Sequence, residues 1–374
     1  PDKVLQNFTR IIKNIPFPSL WYRELTDKSF YNSFLRLCEF NQKSVDLFAE
    51  DAELHEYYIS RNIFEKVTKA GCSEYAIKKL LFILSTQFTE GKINSNKFGE
   101  ILQANLIEKI KGTGEEVIPQ GTEYFIAGLG SFGTGEMNFS SDIDLLFIVK
   151  DPALQFELQK PFQSLLLKLK KTLKPFETDS RLRPEGKSGQ LVWDLISYEN
   201  YLTNRARVWE LQSLCKLKFI AGDKDLFNKF KKLVIKRISL ENGENIRKEI
   251  KAMRKKLIPV GAMNQMKIIN LKRATGGILD IEFSIQFLML IKPKLFGMLL
   301  KSGPEERITK LIPEEKDIIG NYNYLKDIIL RNQCIFSSSG YLFKENEKEN
   351  ITYKKDLHNI LQTNNKLFNK IMGN

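Results

Sequence analysis

Gly128-Leu-Gly-Ser-Phe-Gly-Thr-Gly-Glu-Met-Asn-Phe-Ser-Ser-Asp-Ile-Asp-Leu-Leu-Phe-Ile-Val149 is the stretch that decides the fold. It reads as a glycine-rich turn followed by a β-strand, and the strand carries two carboxylates, Asp142 and Asp144. Side chains alternate along a strand, so a spacing of two places both acids on one face. Aspartate disfavours strands, yet these two stand at the head of the most apolar run in the chain. An accidental acidic edge explains that poorly. Neighbouring carboxylates repel unless a cation lies between them. Hard oxygen ligands of this kind suit Mg²⁺, which takes a few carboxylates and completes its shell with water and substrate phosphates. A third acid, Asp179, closes a later strand-like segment, Pro175-Phe-Glu-Thr-Asp179. Asp142, Asp144 and Asp179 are therefore the candidate catalytic residues and metal ligands. Together they are equipment for two-ion phosphoryl or nucleotidyl transfer.

Candidate phosphate contacts surround the acids. Gly128, Gly130, Gly133 and Gly135 let backbone amides approach phosphate oxygens, and Ser131 and Ser141 add hydroxyls. The turn lacks the Gly-Lys-Ser/Thr ending of a Walker A loop and the spacing of a dinucleotide fingerprint. Arg181 and Arg183 follow Asp179 and can engage phosphate or pair with a carboxylate. Lys187 is a further phosphate candidate. Asp280 and Glu282, in Gly276-Gly-Ile-Leu-Asp-Ile-Glu282, read as acids complementing a helix dipole. Glu136 reads as a cap or an orienting group for the turn.

The 374 residues suffice for two or three domains. A hydrophobic fraction of 42% and a charged fraction of 28% are those of a soluble globular chain. No apolar run has the length of a membrane span and no signal-peptide pattern opens the chain, so a cytoplasmic protein is expected. It starts at Pro1 rather than Met, and reads as lacking its natural start. Cys38, Cys72, Cys215 and Cys334 have no metal-ligand spacing and read as buried thiols in a reducing compartment. His55 and His358 lie far apart, which argues against a His-based centre. Of the net charge of +13, residues 227–275 hold 14 Lys and Arg against 3 Glu, or +11. That field suits nucleotide phosphates, nucleic acid or an acidic protein face, or is the solvated face of a helix.

The periodicities predict an α+β fold, predominantly helical. Residues 1–110 read as an α-helical N-terminal domain. Residues 111–225 read as a catalytic domain with a small mixed sheet, in the order strand, turn, strand, helix (Gln155 to Leu173), strand, turn and one long helix (Tyr198 to Ile220). Residues 226–374 return to helix, with an apolar stripe of Ile246, Ile250, Met253 and Leu257.

These motifs in combination resemble the nucleotidyltransferase superfamily of the DNA-polymerase-β type. More narrowly, they resemble glutamine-synthetase adenylyltransferase. The resemblance rests on the quoted stretch, on Asp179-Ser-Arg-Leu-Arg-Pro-Glu-Gly-Lys-Ser-Gly-Gln-Leu-Val192, on Trp209-Glu210 with Ala221-Gly-Asp223, and on Gly276-Gly-Ile-Leu-Asp-Ile-Glu-Phe283 with Gln286. A helical segment from Phe34 to Leu54 resembles the one preceding the family's catalytic unit. The resemblance implies an enzyme using Mg²⁺, with two ions, and ATP, or ADP and phosphate, to attach AMP to a tyrosine of glutamine synthetase or to remove it by phosphorolysis. It implies one catalytic half, with glutamine synthetase as protein substrate and a nitrogen-signalling regulatory protein as a further partner. Ser131 departs from the family, which usually has lysine there, and that bears on nucleotide affinity or reaction direction. The rival readings are a nucleotidyltransferase acting on RNA or a small molecule, and a non-catalytic nucleotide sensor. The basic segment has few interleaved aromatics, which argues against nucleic acid.

Overall fold

The computed structural model describes residues 2–259, 268–315, 317–338, 340–345 and 347–373. They cluster into two units. The first comprises Pro1–Leu106, Met137–Ser140 and Lys326–Tyr341; the second comprises Ile107–Glu136, Ser141–Leu325 and Leu342–Asn374.

The first unit is helical: α1 (Asp2–Ile12), α2 (Pro18–Glu24), α3 (Lys28–Phe40), α4 (Gln42–Glu50), α5 (Glu53–Ile59), α6 (Ile77–Thr89) and the start of α7 (Ser95–Val117). Local chemistry sets the boundaries. Asp27 starts α3 by accepting from the amides of Ser29 (2.7 Å) and Phe30 (3.0 Å). Asn41 closes α3 and caps α4 through the Ser44 amide (2.9 Å). Phe30, Phe34, Leu37 and Cys38 form the buried stripe of α3. Phe30 and Phe34 pack against the buried Trp21, which lies parallel to Tyr58 at 6.1 Å and tilted against Phe34 at 5.2 Å. His55 sits in this core with Nε2 3.0 Å from the Phe48 carbonyl, and burial lowers its pKa. It is packed within the helical core.

The second unit holds the sheet. The path runs β3 (Thr178–Asp179), β2 (Ile143–Val149), β1 (Tyr124–Leu129), β5 (Lys218–Gly222), with β4 (Val192–Asp194) also on β2. β1 is antiparallel to β2 and β5, whereas β3 and β4 run parallel to β2. Helices cover both faces. Phe162 of α9 (Gln155–Thr172) meets Tyr124 and Phe147, while Phe227 and Phe230 of α12 (Lys224–Ser239) meet Phe125. Two-sided burial explains why β1 and β2 are apolar runs rather than alternating ones. The mixed sheet within a mostly helical chain is the fold class read from the sequence.

Four local expectations need correction. The long helix expected over Tyr198–Ile220 is instead α10 (Leu195–Asn204), α11 (Val208–Leu214) and strand β5. Asp194 starts α10 through the Ile196 and Ser197 amides, and pairing with β1 draws Phe219 to Ala221 into the sheet. Tertiary pairing overrides the local helical reading there. Asp142 lies just before β2, not inside it. In α13 (Gly243–Leu257) the buried residues are Ile246, Ile250 and Arg254, in place of Met253 and Leu257. Finally, Ile268–Asn270 and Leu342–Lys344 pair as a short antiparallel ribbon in a stretch read as helical.

Helix Ile278–Leu290 is buried on nearly every side, as its almost wholly apolar sequence requires. Its buried polar groups are answered: Ser284 donates to the Asp280 carbonyl (2.8 Å), and Gln286 accepts from Gln212 (2.7 Å). All four cysteines are free and buried. Among the described residues no helix is long and apolar enough to cross a membrane.

Candidate active site

The sheet register brings the acids together. Asp144 stands opposite Asp179 in the parallel β2–β3 pair and opposite Leu129, the last residue of β1. Leu129 leads directly into α8 (Gly130–Thr134), the glycine-rich turn. Gly130 has φ 56°, and a Cβ built on it would lie 2.1 Å from Asp144 Oδ2. The turn is thus seated on that carboxylate, and glycine suits both the left-handed backbone and the close approach.

The charges record the crowding. Burial first, then the charges of Asp179 and Asp142, push the Asp144 carboxyl up to about 6, with Lys216 and Lys272 opposing. Asp142 is raised in the same way by burial and by Asp179, with Lys272 and Arg181 opposing. Asp179 goes the other way. Burial works to raise it, but Arg181 holds it below the usual carboxylate range through its guanidinium and its amide (2.8 Å). Asp179 therefore ionises more readily than the two acids beside it.

The other expected residues divide. Arg183 commits its guanidinium to the carbonyls of Gln190 (2.8 Å), Gly189 (3.1 Å) and Ser180, and so ties up the loop after β3. Ser141 is buried, Ser131 is half-buried and Lys187 is exposed. Among the described residues no group of three His, Cys, Asp or Glu is arranged as a ready-made metal cage. A site for Mg²⁺ needs no cage, since that ion uses one or two carboxylates with substrate phosphates. The fit lies in the donor set: hard oxygens at and beside the heads of adjacent strands, with the Asp142 and Asp144 carboxyls raised by burial and by neighbouring negative charge.

Residues that sequence reasoning missed stand behind the turn. Lys216 pairs with Glu282 (2.6 Å), and each side chain is 13% exposed. Burial opposes the charge on Lys216, and Glu282 and Glu136 outweigh it. Tyr322 donates to Glu136 (2.6 Å), which also accepts from Thr134 (2.8 Å) at the end of α8. The Lys216 carbonyl lies 2.0 Å from where a Cβ on Gly133 would stand. Glu282 is thus one side of an ion pair rather than a dipole partner, and Glu136 anchors the turn. Lys272 follows Asn270, whose side chain accepts the Lys272 and Arg273 amides (3.2 and 3.0 Å). Its charge lowers the pKa of both Asp142 and Asp144.

Residues 100–233 match the family model described as glutamate-ammonia ligase adenylyltransferase. Over that segment the chain is similar to the glutamine synthetase adenylyltransferase family. The family segment contains β1, α8, β2, Asp179 and α11, hence the whole acid constellation. Similar curated proteins are named bifunctional glutamine synthetase adenylyltransferase/adenylyl-removing enzyme. The one from Acinetobacter baylyi is 33% identical over 48% of this chain and 21% of its own length. Those from Chromobacterium violaceum (32%, 46% and 20%) and Aromatoleum aromaticum (34%, 45% and 18%) agree. The match spans about a fifth of the length of these relatives, consistent with one catalytic half of the adenylyltransferase family.

Gly130→Ala tests the seating of the turn. Its new Cβ meets the end of a movable side chain, so the fold is expected to survive with a loss of about 1–3 kcal/mol from the left-handed backbone. Displacing Asp144 is expected to cost about a hundredfold in turnover. Urea unfolding and steady-state kinetics separate the two. Unchanged turnover would show that the turn does not hold Asp144.

Proposed function

We propose that this chain is a Mg²⁺-dependent nucleotidyltransferase that attaches AMP to a tyrosine of glutamine synthetase or removes it by phosphorolysis. The observation that carries the reading is the register of Asp144 against Asp179, with Gly130 closed onto the same carboxylate. Asp142, Asp144 and Asp179 would hold the metal. When bound, Mg²⁺ offsets charge on the phosphates and on the attacking and leaving oxygens. The turn from Gly130 to Thr134 presents its amides and the Ser131 hydroxyl to the nucleotide phosphates. Lys272 supplies a positive charge facing the acids, where a polyphosphate approaches. Arg181 keeps Asp179 ionised, and Lys216, fixed by Glu282, offsets the charge of Asp144 from behind.

In attachment, the tyrosine oxygen bonds to the α-phosphorus of ATP and the bond to pyrophosphate breaks. In removal, inorganic phosphate attacks the same phosphorus and the tyrosine oxygen leaves, giving ADP. The same three carboxylates serve both directions. The cytoplasm is the compartment in which the reading places the protein, and a nitrogen-signalling regulatory protein is its proposed further partner.

The basic segment 227–275 offers a docking face for an acidic partner, smaller than its count suggests. Arg254 is buried against Asp280 and Arg237 pairs with Glu241 (2.9 Å), while residues 260–267 lie outside the described ones. Nucleic acid is the weaker reading for what remains.

The test is incubation with glutamine synthetase, modified and unmodified, with Mg²⁺ and either ATP or phosphate, read by intact mass. A gain or loss of one adenylyl group is expected. No change in either form would overturn the assignment of this substrate.

A further inference from the structure

We infer that Tyr322, on the helix Asp317–Phe336, is a positioning residue for the nucleotide: its hydroxyl locks the end of the glycine-rich turn through Glu136, and so sets how tightly the turn holds phosphates. The inference rests on the nucleotidyl-transfer reading above and adds to it a residue 186 positions from Glu136. Glu136 bridges two elements. Its Oε1 accepts from the Tyr322 hydroxyl (2.6 Å), and its Oε2 accepts from the hydroxyl of Thr134 (2.8 Å), the last residue of α8. Its amide donates to the Ser131 carbonyl (3.0 Å), so one residue grips the short helix through both backbone and side chain. Hydroxyl donors to a carboxylate make short, strong hydrogen bonds. Tyr322 is 2% exposed and meets Glu136 with little competition from water. Burial and the charges of Glu136 and Glu282 push its phenol well above the ordinary range, which keeps the proton on the donor.

The anchor is itself held, and all its members lie in the second unit. Glu282 lies 3.4 Å from the same hydroxyl and pairs with Lys216 (2.6 Å). The buried Arg307 donates to the Cys215 carbonyl (3.0 Å) and feels the charge of both Glu136 and Glu282. Two acids and two cations thus balance behind the turn, which makes the cluster a mount rather than a second binding site. Phenylalanine at 322 keeps the ring and removes only the hydroxyl. Glu136 then loses a donor, and the turn samples positions unsuited to phosphate. Nucleotide must reorder the turn as it binds, so apparent affinity falls with the fraction of turn that is competent. At saturation the bound phosphates hold the amides themselves, and kcat recovers.

The test is Tyr322→Phe in the full chain, with Mg²⁺ and ATP or ADP. Isothermal titration is expected to show nucleotide binding weakened about tenfold. In transfer assays with glutamine synthetase, KM for ATP should rise by about the same factor, while KM for the synthetase is unchanged and kcat stays within about threefold. The thermal midpoint without nucleotide should fall by less than about 5 °C. In a Glu136→Ala background the relay is already broken, so Tyr322→Phe should add less than about twofold. Wild-type nucleotide affinity in Tyr322→Phe overturns the inference. So does a loss that falls equally on kcat and on KM for the synthetase, or one that persists in full beside Glu136→Ala. A wild-type protein that binds no nucleotide sinks the transfer reading itself, and this inference with it.

Discussion

Asp144→Asn is expected to lower nucleotidyl transfer by about 10³-fold or more and, in the metal-free protein at neutral pH, to raise stability. The first effect follows from losing a ligand whose metal contributes several kcal/mol to the transition state. The second follows from the carboxyl held at about 6 in the folded state against 3.8 in a free chain. The folded protein binds that proton more tightly than the unfolded one. The charged carboxylate therefore costs nothing below pH 3.8, costs progressively more as pH rises to about 6, and carries its full cost above. Asp144 is half-buried, so solvent relieves part of it, and about 1–3 kcal/mol remains. Asparagine removes the cost. Thermal midpoints in EDTA should favour the variant by about 2–6 °C at pH 7.5 and converge by pH 3.5. Equal midpoints at pH 7.5 would deny the electrostatic crowding. Wild-type turnover would deny the catalytic role.

Arg254→Met is expected to destabilise the second unit strongly. The Arg254 and Asp280 side chains are 2% and 3% exposed and pair directly. Arg254 also donates to the Ala274 carbonyl (2.7 Å), and Asp280 accepts the Gly276 amide (2.5 Å). Removing the guanidinium leaves a buried carboxylate without its cation, which costs about 3–5 kcal/mol. The paired change Arg254→Met/Asp280→Leu should recover much of that, because two apolar side chains replace the pair without stranding a charge. Urea titration of the single and double variants reads both values. A single variant within about 1 kcal/mol of wild type would show that the pair is not what holds this corner. The pair also fixes the loop that carries Lys272, so the single variant should weaken transfer at temperatures where it remains folded.

The candidate catalytic core was legible because its signals are local. A spacing of two at the head of an apolar strand, a glycine turn just before it and an acid at the end of a short strand are all readable within some fifty residues of sequence. The helical N-terminal stretch was legible for the same reason, through stripes such as that of α3. The missed features all need a distant partner. β5 forms because β1 is there to pair with it, and α13 buries Arg254 because Asp280 lies opposite. Each looked like ordinary helix until those partners were in place.

By itself, then, the sequence determined the acid-bearing strand, the turn and the mostly helical class, since neighbouring residues dictate backbone conformation and alternation. Only the tertiary structure decided what surrounds them. Lys216 lies 66 residues from Glu282, and Arg254 lies 26 from Asp280. Taking such charges out of water is favourable only when folding delivers an opposite charge to the same buried place, and no local pattern encodes that meeting.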